Sequence, residues 1–208
     1  MRQIVLASKN IGKIKELERL LGKFASDVKV LGITDFPEMP EVIESGNSLS
    51  ENAWLKAKQI SVFSKLPTLA DDSGLFIDAL AGKPGIYSSR WSGYEGNDSS
   101  RRDRLNIEKA LTELVDIPVG KRGAQFKTVV AFYMPNSDGS FFEQEQLGVL
   151  KGQISQVAIG NSGFGYDPIF IPDGFNETLA QLTAGVKDEV SHRGKALRAI
   201  APFLLDHL

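Results

Sequence analysis

The sequence predicts an α/β fold around a long, mixed and twisted β-sheet. Helical periodicity marks both ends of the chain, at residues 11–21 and 191–208, and short β-branched or alternating segments lie between them. A length of 208 residues favours one domain with two lobes over two independent domains. We therefore expect a single two-lobed α/β domain spanning residues 1–208, with helices flanking the sheet.

The first quarter of the chain alternates strands and helices. Residues 4–7 form a short apolar run typical of a buried strand, and apolar residues at helical spacing follow at 11–21. Residues 28–31 predict a second strand. Residues 48–62 predict a helix, for which Ser48 is the N-cap residue.

An acidic segment interrupts the pattern in the middle of the chain. Residues 67–70 predict a short strand, and the acidic residues 71–74 that follow predict a turn, because glycine allows a tight reversal. The other predicted elements are an amphipathic helix at 101–115, a hairpin of 125–134 and 141–150 about a turn at 136–139, strands at 153–158 and 169–171, and the final helix at 191–208.

Composition excludes several classes of protein. The net charge of −2, with both signs mixed, provides no basic field for a polymeric nucleic acid. The chain contains no cysteine, which excludes disulfides, thiolate nucleophiles and cysteine-ligated metals. No apolar stretch approaches the roughly 20 residues of a membrane-spanning helix, and the first apolar run is too short for a signal peptide. We therefore expect a cytoplasmic protein that does not act at a membrane.

The acidic pair Asp71 and Asp72 predicts a cation site. Adjacent carboxylates repel each other, and Mg²⁺ is commonly held by one or two carboxylates together with water and substrate phosphates. In α/β sheets, ligands bind beyond the carboxyl ends of the strands, which is where the predicted turn places the pair. Glu44 and Lys56 are candidates for a further metal ligand and a phosphate contact. The alternative for the acidic pair is a solvated turn, and the alternative for Lys56 is a surface position.

Three further segments carry candidate binding groups. Residues 8–13 join a strand to a helix N-terminus, where backbone N–H groups favour an anion, although they lack the Walker spacing and an ordinary N-cap is the alternative. Residues 160–168 are rich in glycine and place Phe164 and Tyr166 for stacking on a base, or in a packed aromatic turn. Residues 191–194 begin the last helix and supply hydrogen-bond donors, or simply cap it.

In this order, these motifs resemble the inosine triphosphate pyrophosphatase family, also called the Ham1-like or non-canonical purine nucleoside triphosphate pyrophosphatases. The resemblance covers nearly the whole chain. It rests on LASKNIGK at 6–13, ENA with KA between 51 and 57, ADDSGL at 70–75, PGIYSSR at 84–90, GFGYDPIF at 163–170 and SHRGKAL at 191–197.

The resemblance implies a Mg²⁺-dependent homodimer that hydrolyses ITP, dITP and XTP between the α and β phosphates, giving a nucleoside monophosphate and pyrophosphate, in a cleft between the lobes. It makes Asp72, Asp71 and Lys56 catalytic, with Asp72 as proton acceptor from water, and it makes Glu44 and Asp72 the metal ligands. The implied substrate-binding residues are Ser8, Lys9, Asn10, Ile11, Gly12, Lys13, Ser73, Phe164, Gly165, Tyr166, Asp167, Lys187, His192 and Arg193.

Base selection follows from hydrogen-bond chemistry. Hypoxanthine and xanthine carry an oxygen at position six where adenine carries an amino group, so a donor such as His192 or Arg193 rejects adenine by leaving groups unpaired. The chain departs from the family pattern at Lys9, Ser50 and Val186, none of which is a metal ligand.

Two rival interpretations are a Maf-like nucleotide pyrophosphatase and a catalytically silent nucleotide-binding regulator. Asn10 and Lys13 argue against the first, because Maf-like proteins have an arginine-rich loop at that place. The intact acidic residues argue against the second.

Overall fold

The computed structural model describes residues 2–23, 27–136 and 138–208. Its strands are β1 (Arg2–Leu6), β2 (Val28–Gly32), β3 (Thr68–Ile77), β4 (Pro84–Gly85), β5 (Gly123–Pro135), β6 (Phe141–Ile154) and β7 (Phe170–Pro172). Its helices are α1 (Ile11–Leu21), α2 (Leu49–Ser64), α3 (Ser99–Glu113), α4 (Ala184–Val190) and α5 (His192–His207). In the described part of the chain, no helix is long and apolar enough to cross a membrane.

The strands form one mixed sheet, as the sequence predicts. The strand order is β2-β1-β3-β5-β6-β7, and β4 pairs with β3. β1 is parallel to both β2 and β3, whereas β4 is antiparallel to β3 and β7 is antiparallel to β6. The α/β class with a mixed sheet is therefore confirmed. Ser137, inside the predicted hairpin turn, lies outside the described residues.

The predicted turn at residues 71–74 is wrong. Those residues continue β3, which runs unbroken from Thr68 to Ile77. Asp71 and Asp72 are only 2% and 7% exposed, which also excludes the solvated-turn alternative. Acidic residues and glycine usually interrupt strands. Here buried cationic side chains compensate the negative charge, and the segment remains part of the β-strand.

The chain divides into two compact units, each with its own core. The first unit comprises Met1–Asp72, Thr128–Gly148 and His192–Leu208. Helices α1 and α5 contact each other within it. Its core joins apolar residues of the central strands to those helices: Ile4, Leu6, Leu17, Leu20, Leu21, Leu69, Val130, Phe132, Ala196, Leu197, Ile200 and Leu204. Burial of each large aliphatic side chain contributes about 1.5–3 kcal/mol, which holds α1 and α5 in place.

The second unit comprises Ser73–Lys127 and Val149–Ser191. Its core residues are Leu75, Ile77, Ala110, Leu114, Ala124, Phe126, Leu150, Ile154, Tyr166, Ile169, Phe170, Leu179 and Leu182. Helix α3 supplies Ala110 to this core, and Leu114 follows directly after the helix. The core thereby fixes α3 beside the segment that contains Tyr166.

Candidate functional site

Asp71 is the centre of a buried ionic cluster in the first unit. Its Oδ2 atom lies 3.0 Å from Nζ of Lys13 and 3.2 Å from Nε of Arg193. Nη1 of Arg193 donates in turn to Oε2 of Glu16 at 2.6 Å. Two cations thus balance two carboxylates, and Arg193 and Glu16 are only 2% and 3% exposed.

The pKa shifts in this cluster differ in direction. Burial lowers the pKa of Lys13, although Asp71 opposes the shift. Burial alone would raise the pKa of Asp71, but Lys13 and Arg193 outweigh burial and hold that pKa well below its usual range. Burial would lower the pKa of Arg193, but Glu16 and Asp71 outweigh it and raise that pKa. Asp71 therefore stays ionised across the physiological range.

Asp72 is the centre of a second cluster, whose partners come from α2 and from the loop before it. Nζ of Lys56 lies 3.0 Å from Oδ1 of Asp72 and 2.9 Å from Oε1 of Glu44. Asn52 donates to Oδ2 of Asp72 at 3.4 Å, and its own Oδ1 accepts from the Gly46 N–H at 2.8 Å. Two carboxylates therefore share one ammonium, and Asn52 ties the Glu44 loop to the strand.

In the second cluster, burial and the neighbouring charges together shift the pKa values of Asp72 and Lys56 upward. Burial raises the pKa of Asp72, although Lys56 opposes the shift. Burial would lower the pKa of Lys56, but Asp72 and Glu44 outweigh it and raise that pKa. The Glu44 side chain is 32% exposed, so this cluster is open to solvent on one side. The cluster at Asp72 is therefore better suited to bind an exchangeable cation than the more buried cluster at Asp71.

The N-terminal loop forms the N-cap of α1. The Asn10 side chain accepts from the Lys13 N–H at 3.2 Å, and the Ser8 hydroxyl accepts from the Asn10 N–H at 3.2 Å. Lys9 is exposed and pairs with Glu41 at 2.8 Å. Ile11 is also exposed and Gly12 is half-buried in the first turn of α1. The loop is thus an ordered helix N-terminus, whose contact with phosphate stays a prediction.

In the second unit, Asp167 organises the glycine-rich segment. Its Oδ2 atom accepts from Nζ of Lys187 at 2.6 Å and from the Phe164 N–H at 2.9 Å. Nζ of Lys187 lies 4.8 Å from the centre of the Phe164 ring. Gly163 wraps around this carboxylate with positive φ, and a Cβ there would collide with Asp167. The structure therefore brings Phe164, Asp167 and Lys187 together.

The remaining predicted residues lie close to these clusters in sequence. Ser73 continues β3 directly after Asp72 and is half-buried. His192 begins α5 and is 5% exposed. Gly148 of β6 allows the backbone to approach the start of α5, because a Cβ there would collide with the His192 carbonyl oxygen. Whether His192 and Arg193 contact a base stays a prediction.

Sequence reasoning missed three polar residues on helices: Glu16 and Asn52, which are buried, and Asp103, which is half-buried. Glu16 holds Arg193, Asn52 holds Asp72, and Asp103 accepts from the Gly165 N–H at 2.7 Å. Each precedes a buried or half-buried residue of its own helix by four positions, so each lies on the inward face. A polar residue in an apolar stripe was the signal that could have identified them.

The chemistry of the donors at Glu44 and Asp72 fits a hard divalent cation. Their oxygens already lie within 3.0 Å of one cationic nitrogen, that of Lys56. Among the described residues, no group of three or more His, Asp or Glu side chains lies close enough to hold a metal. A site with two carboxylates suits Mg²⁺, which usually keeps several waters and takes further oxygens from substrate phosphates.

Comparison with known proteins identifies the family of this chain. The family model described as the Ham1 family matches residues 4–203. A protein of Shouchella clausii named dITP/XTP pyrophosphatase is 42% identical over 200 residues, which cover 96% of this chain and 95% of that protein. A protein of Streptomyces avermitilis with the same name is 40% identical, and the match covers 100% of both chains.

Solved structures give the same result. The structure of the Staphylococcus aureus Ham1 protein matches with a TM-score of 0.82 and 35% identity, covering 100% of both chains. A HAM1 protein from Coxiella burnetii matches with a TM-score of 0.82 and 37% identity, covering 99% of this chain and 100% of that one. The family match supports the Ham1-like interpretation over the Maf-like one. This chain, with its acidic pair buried in β3, belongs to the Ham1 family.

Proposed function

We propose that this protein hydrolyses the non-canonical purine nucleoside triphosphates ITP, dITP and XTP to the nucleoside monophosphate and pyrophosphate. The observation that carries the proposal is the cluster of Asp72, Glu44 and Lys56, which combines two carboxylates with the ammonium group of a lysine. Relatives about 40% identical over the whole chain, named dITP/XTP pyrophosphatase, support the substrate class.

Glu44 and Asp72 are proposed to hold Mg²⁺. When bound, the ion neutralises phosphate charge and lowers the pKa of a bound water. Lys56, which bridges the two carboxylates in this structure, is then available to meet a phosphate oxygen through its ammonium group.

Asp72 is proposed to accept the proton of the attacking water. An ionised carboxylate within hydrogen-bond reach of a water can take up its proton as a general base. Thr128 donates its hydroxyl to the Asp72 backbone carbonyl at 3.0 Å and fixes the strand at this point. Asp71 supports the site by holding Lys13, which is proposed to bind phosphate.

Base recognition is assigned to the residues that the family resemblance implies. Of the two donors that the resemblance implies for the oxygen at position six, His192 is the one proposed here, because Arg193 is 2% exposed and already donates to Asp71 and Glu16. Phe164, Asp167 and Lys187 are the proposed contacts from the second unit. We also propose that the whole chain acts as one pyrophosphatase domain, as a homodimer in the cytoplasm; sedimentation analysis of the purified protein measures its oligomeric state.

The test is hydrolysis of five triphosphates in the presence of Mg²⁺. We expect pyrophosphate release from ITP, dITP and XTP to be much faster than from ATP and GTP. Monophosphate and pyrophosphate as products indicate cleavage between the α and β phosphates, whereas diphosphate and phosphate would contradict it. Equal rates on all five substrates would contradict the proposed base selection.

A further inference from the structure

We propose that Asp103 is a positioning residue for nucleotide binding, an inference that rests on the proposed function. Asp103 lies in α3, and its Oδ2 atom accepts a hydrogen bond from the backbone N–H of Gly165 at 2.7 Å. These two residues are separated by 62 positions in the chain, so the bond is a tertiary contact within the second unit.

Asp103 and Asp167 fix two successive backbone N–H groups. The N–H of Phe164 donates to Asp167, and the N–H of Gly165 donates to Asp103. The peptide groups on both sides of the Phe164 α-carbon are therefore held by carboxylates. Fixing both peptide groups fixes the direction in which the Cα–Cβ bond of Phe164 leaves the backbone, and the ring itself lies against Nζ of Lys187 at 4.8 Å. Since this ring is the proposed stacking surface for the base, Asp103 sets the position of that surface.

Gly165 is suited to this contact by its backbone. Its φ of +60° lies in the left-handed region, and a Cβ at this residue would meet no other atom within 4 Å. A glycine at this position is therefore favoured by the left-handed backbone conformation, and not by a close approach of another atom. The bond to Asp103 stabilises that conformation.

Helix α3 and the glycine-rich segment also share a hydrogen-bond acceptor. Asn106 of α3 donates to the carbonyl oxygen of Ser88 at 3.2 Å, and the Tyr166 hydroxyl donates to the same oxygen at 2.8 Å. Burial raises the pKa of Asp103, although the Gly165 N–H opposes the shift. A carboxylate that is costly to bury is thus placed where it meets a backbone donor.

A role in capping α3 belongs to a different residue. The N-cap is Asp98, whose side chain accepts from the Arg101 N–H at 3.0 Å. Asp103 is the fifth residue of the helix, where its backbone already has the ordinary helical pattern. Asp98→Ala is therefore a matched control, because it also removes one bond from a carboxylate to a backbone N–H but leaves Gly165 untouched.

The experiment compares Asp103→Ala, Asp103→Asn and Asp98→Ala with the wild type. We measure kcat and KM for ITP, and the inhibition constants of IMP, which carries the base, and of tripolyphosphate, which does not. Asp103→Ala is expected to raise the KM and the IMP constant about tenfold, the loss of one charge-assisted hydrogen bond. The kcat and the tripolyphosphate constant should stay within about twofold. Asp103→Asn keeps an acceptor and should restore most of the affinity for IMP.

Several outcomes would overturn the inference. An Asp103→Ala variant with the KM of Asp98→Ala, or one that weakens tripolyphosphate as much as IMP, would show only general destabilisation. An Asp103→Asn variant as impaired as Asp103→Ala would show that the hydrogen-bond acceptor is not what matters. A wild-type protein that neither hydrolyses ITP nor binds IMP would overturn the proposed function itself, whereas normal wild-type turnover with an unchanged Asp103→Ala variant overturns only this inference.

Discussion

The two adjacent carboxylates of β3 have opposite surroundings. Asp71 meets Lys13 of α1 and Arg193 of α5, whereas Asp72 meets Lys56 of α2. Successive side chains of a strand point to opposite faces, which gives neighbouring residues different partners. The two residues of one acidic dipeptide therefore belong to two different ionic clusters.

The clusters differ in charge balance and in exposure. Around Asp71, two cations face two carboxylates, counting Glu16, and the side chain of Asp71 is 1% exposed. Around Asp72, the Lys56 ammonium contacts two carboxylates, the charge of Lys13 also acts on Asp72, and Glu44 is open to solvent. The more buried ion pairs of Asp71 stabilise the fold. The more exposed pair at Glu44 is suited to take up a further cation, so we propose a structural role for Asp71 and a chemical role for Asp72.

The largest expected effect is the loss of turnover in Asp72→Asn. Removing the proposed proton acceptor and metal ligand should lower kcat for ITP by about 10²–10⁴-fold, while the melting temperature changes little. Pyrophosphate release and thermal unfolding monitored by circular dichroism measure both quantities. The exposed residue Asp206 gives the control variant Asp206→Asn. A retained rate in Asp72→Asn would show that the chemical site lies elsewhere.

The next effect is a loss of stability in Asp71→Asn. Removing one charge from a buried ion pair leaves the Arg193 cation undercompensated and should lower the free energy of unfolding by about 3–5 kcal/mol. Urea denaturation measures it. Asp27→Asn is the control, because Asp27 also pairs with an arginine, Arg2, at 2.7 Å, but on the surface. Equal losses in the two variants would remove the distinction between the clusters.

A smaller effect is expected in Lys56→Met. The variant has lost the ammonium that competes for the two carboxylates, so Mn²⁺ should bind the nucleotide-free protein about fivefold more tightly, equivalent to ~1 kcal/mol for a partly exposed pair. Electron paramagnetic resonance of bound Mn²⁺ measures the affinity, with Mg²⁺ as competitor. Lys58→Met is the control on the same helix, since Lys58 pairs with Glu143. Weaker binding in Lys56→Met would mean that Lys56 assists the metal.

The smallest effect is expected in Lys9→Ser. Lys9 and Glu41 are both well exposed, and such pairs contribute about 0.2–1 kcal/mol. We expect the KM for ITP to change by less than about threefold and the difference to vanish at high salt. Steady-state kinetics at two ionic strengths test this expectation. A large, salt-resistant rise in KM would place Lys9 directly on the phosphates.

The local sequence pattern predicted the secondary structure well in segments whose hydrophobic periodicity is regular. The predicted strand at 28–31 appears as Val28–Gly32, and the predicted helix at 101–115 appears as Ser99–Glu113. The sequence failed at residues 71–74, because turn propensity is local whereas the cations that keep this segment in the strand come from distant parts of the chain. The short helix α4 was not predicted, and the strand predicted at 153–158 is wrong beyond residue 154, where β6 ends.

By itself, the sequence determined the α/β class and the four segments that carry the candidate site. Hydrophobic periodicity and glycine spacing are local properties, so they can be recognised in the sequence without any knowledge of the fold. Only the tertiary structure decided which charge meets which: Asp71 with Lys13 and Arg193, and Asp72 with Lys56. Ion pairs between residues up to 177 positions apart depend on how the helices pack on the sheet, and no local pattern encodes that arrangement.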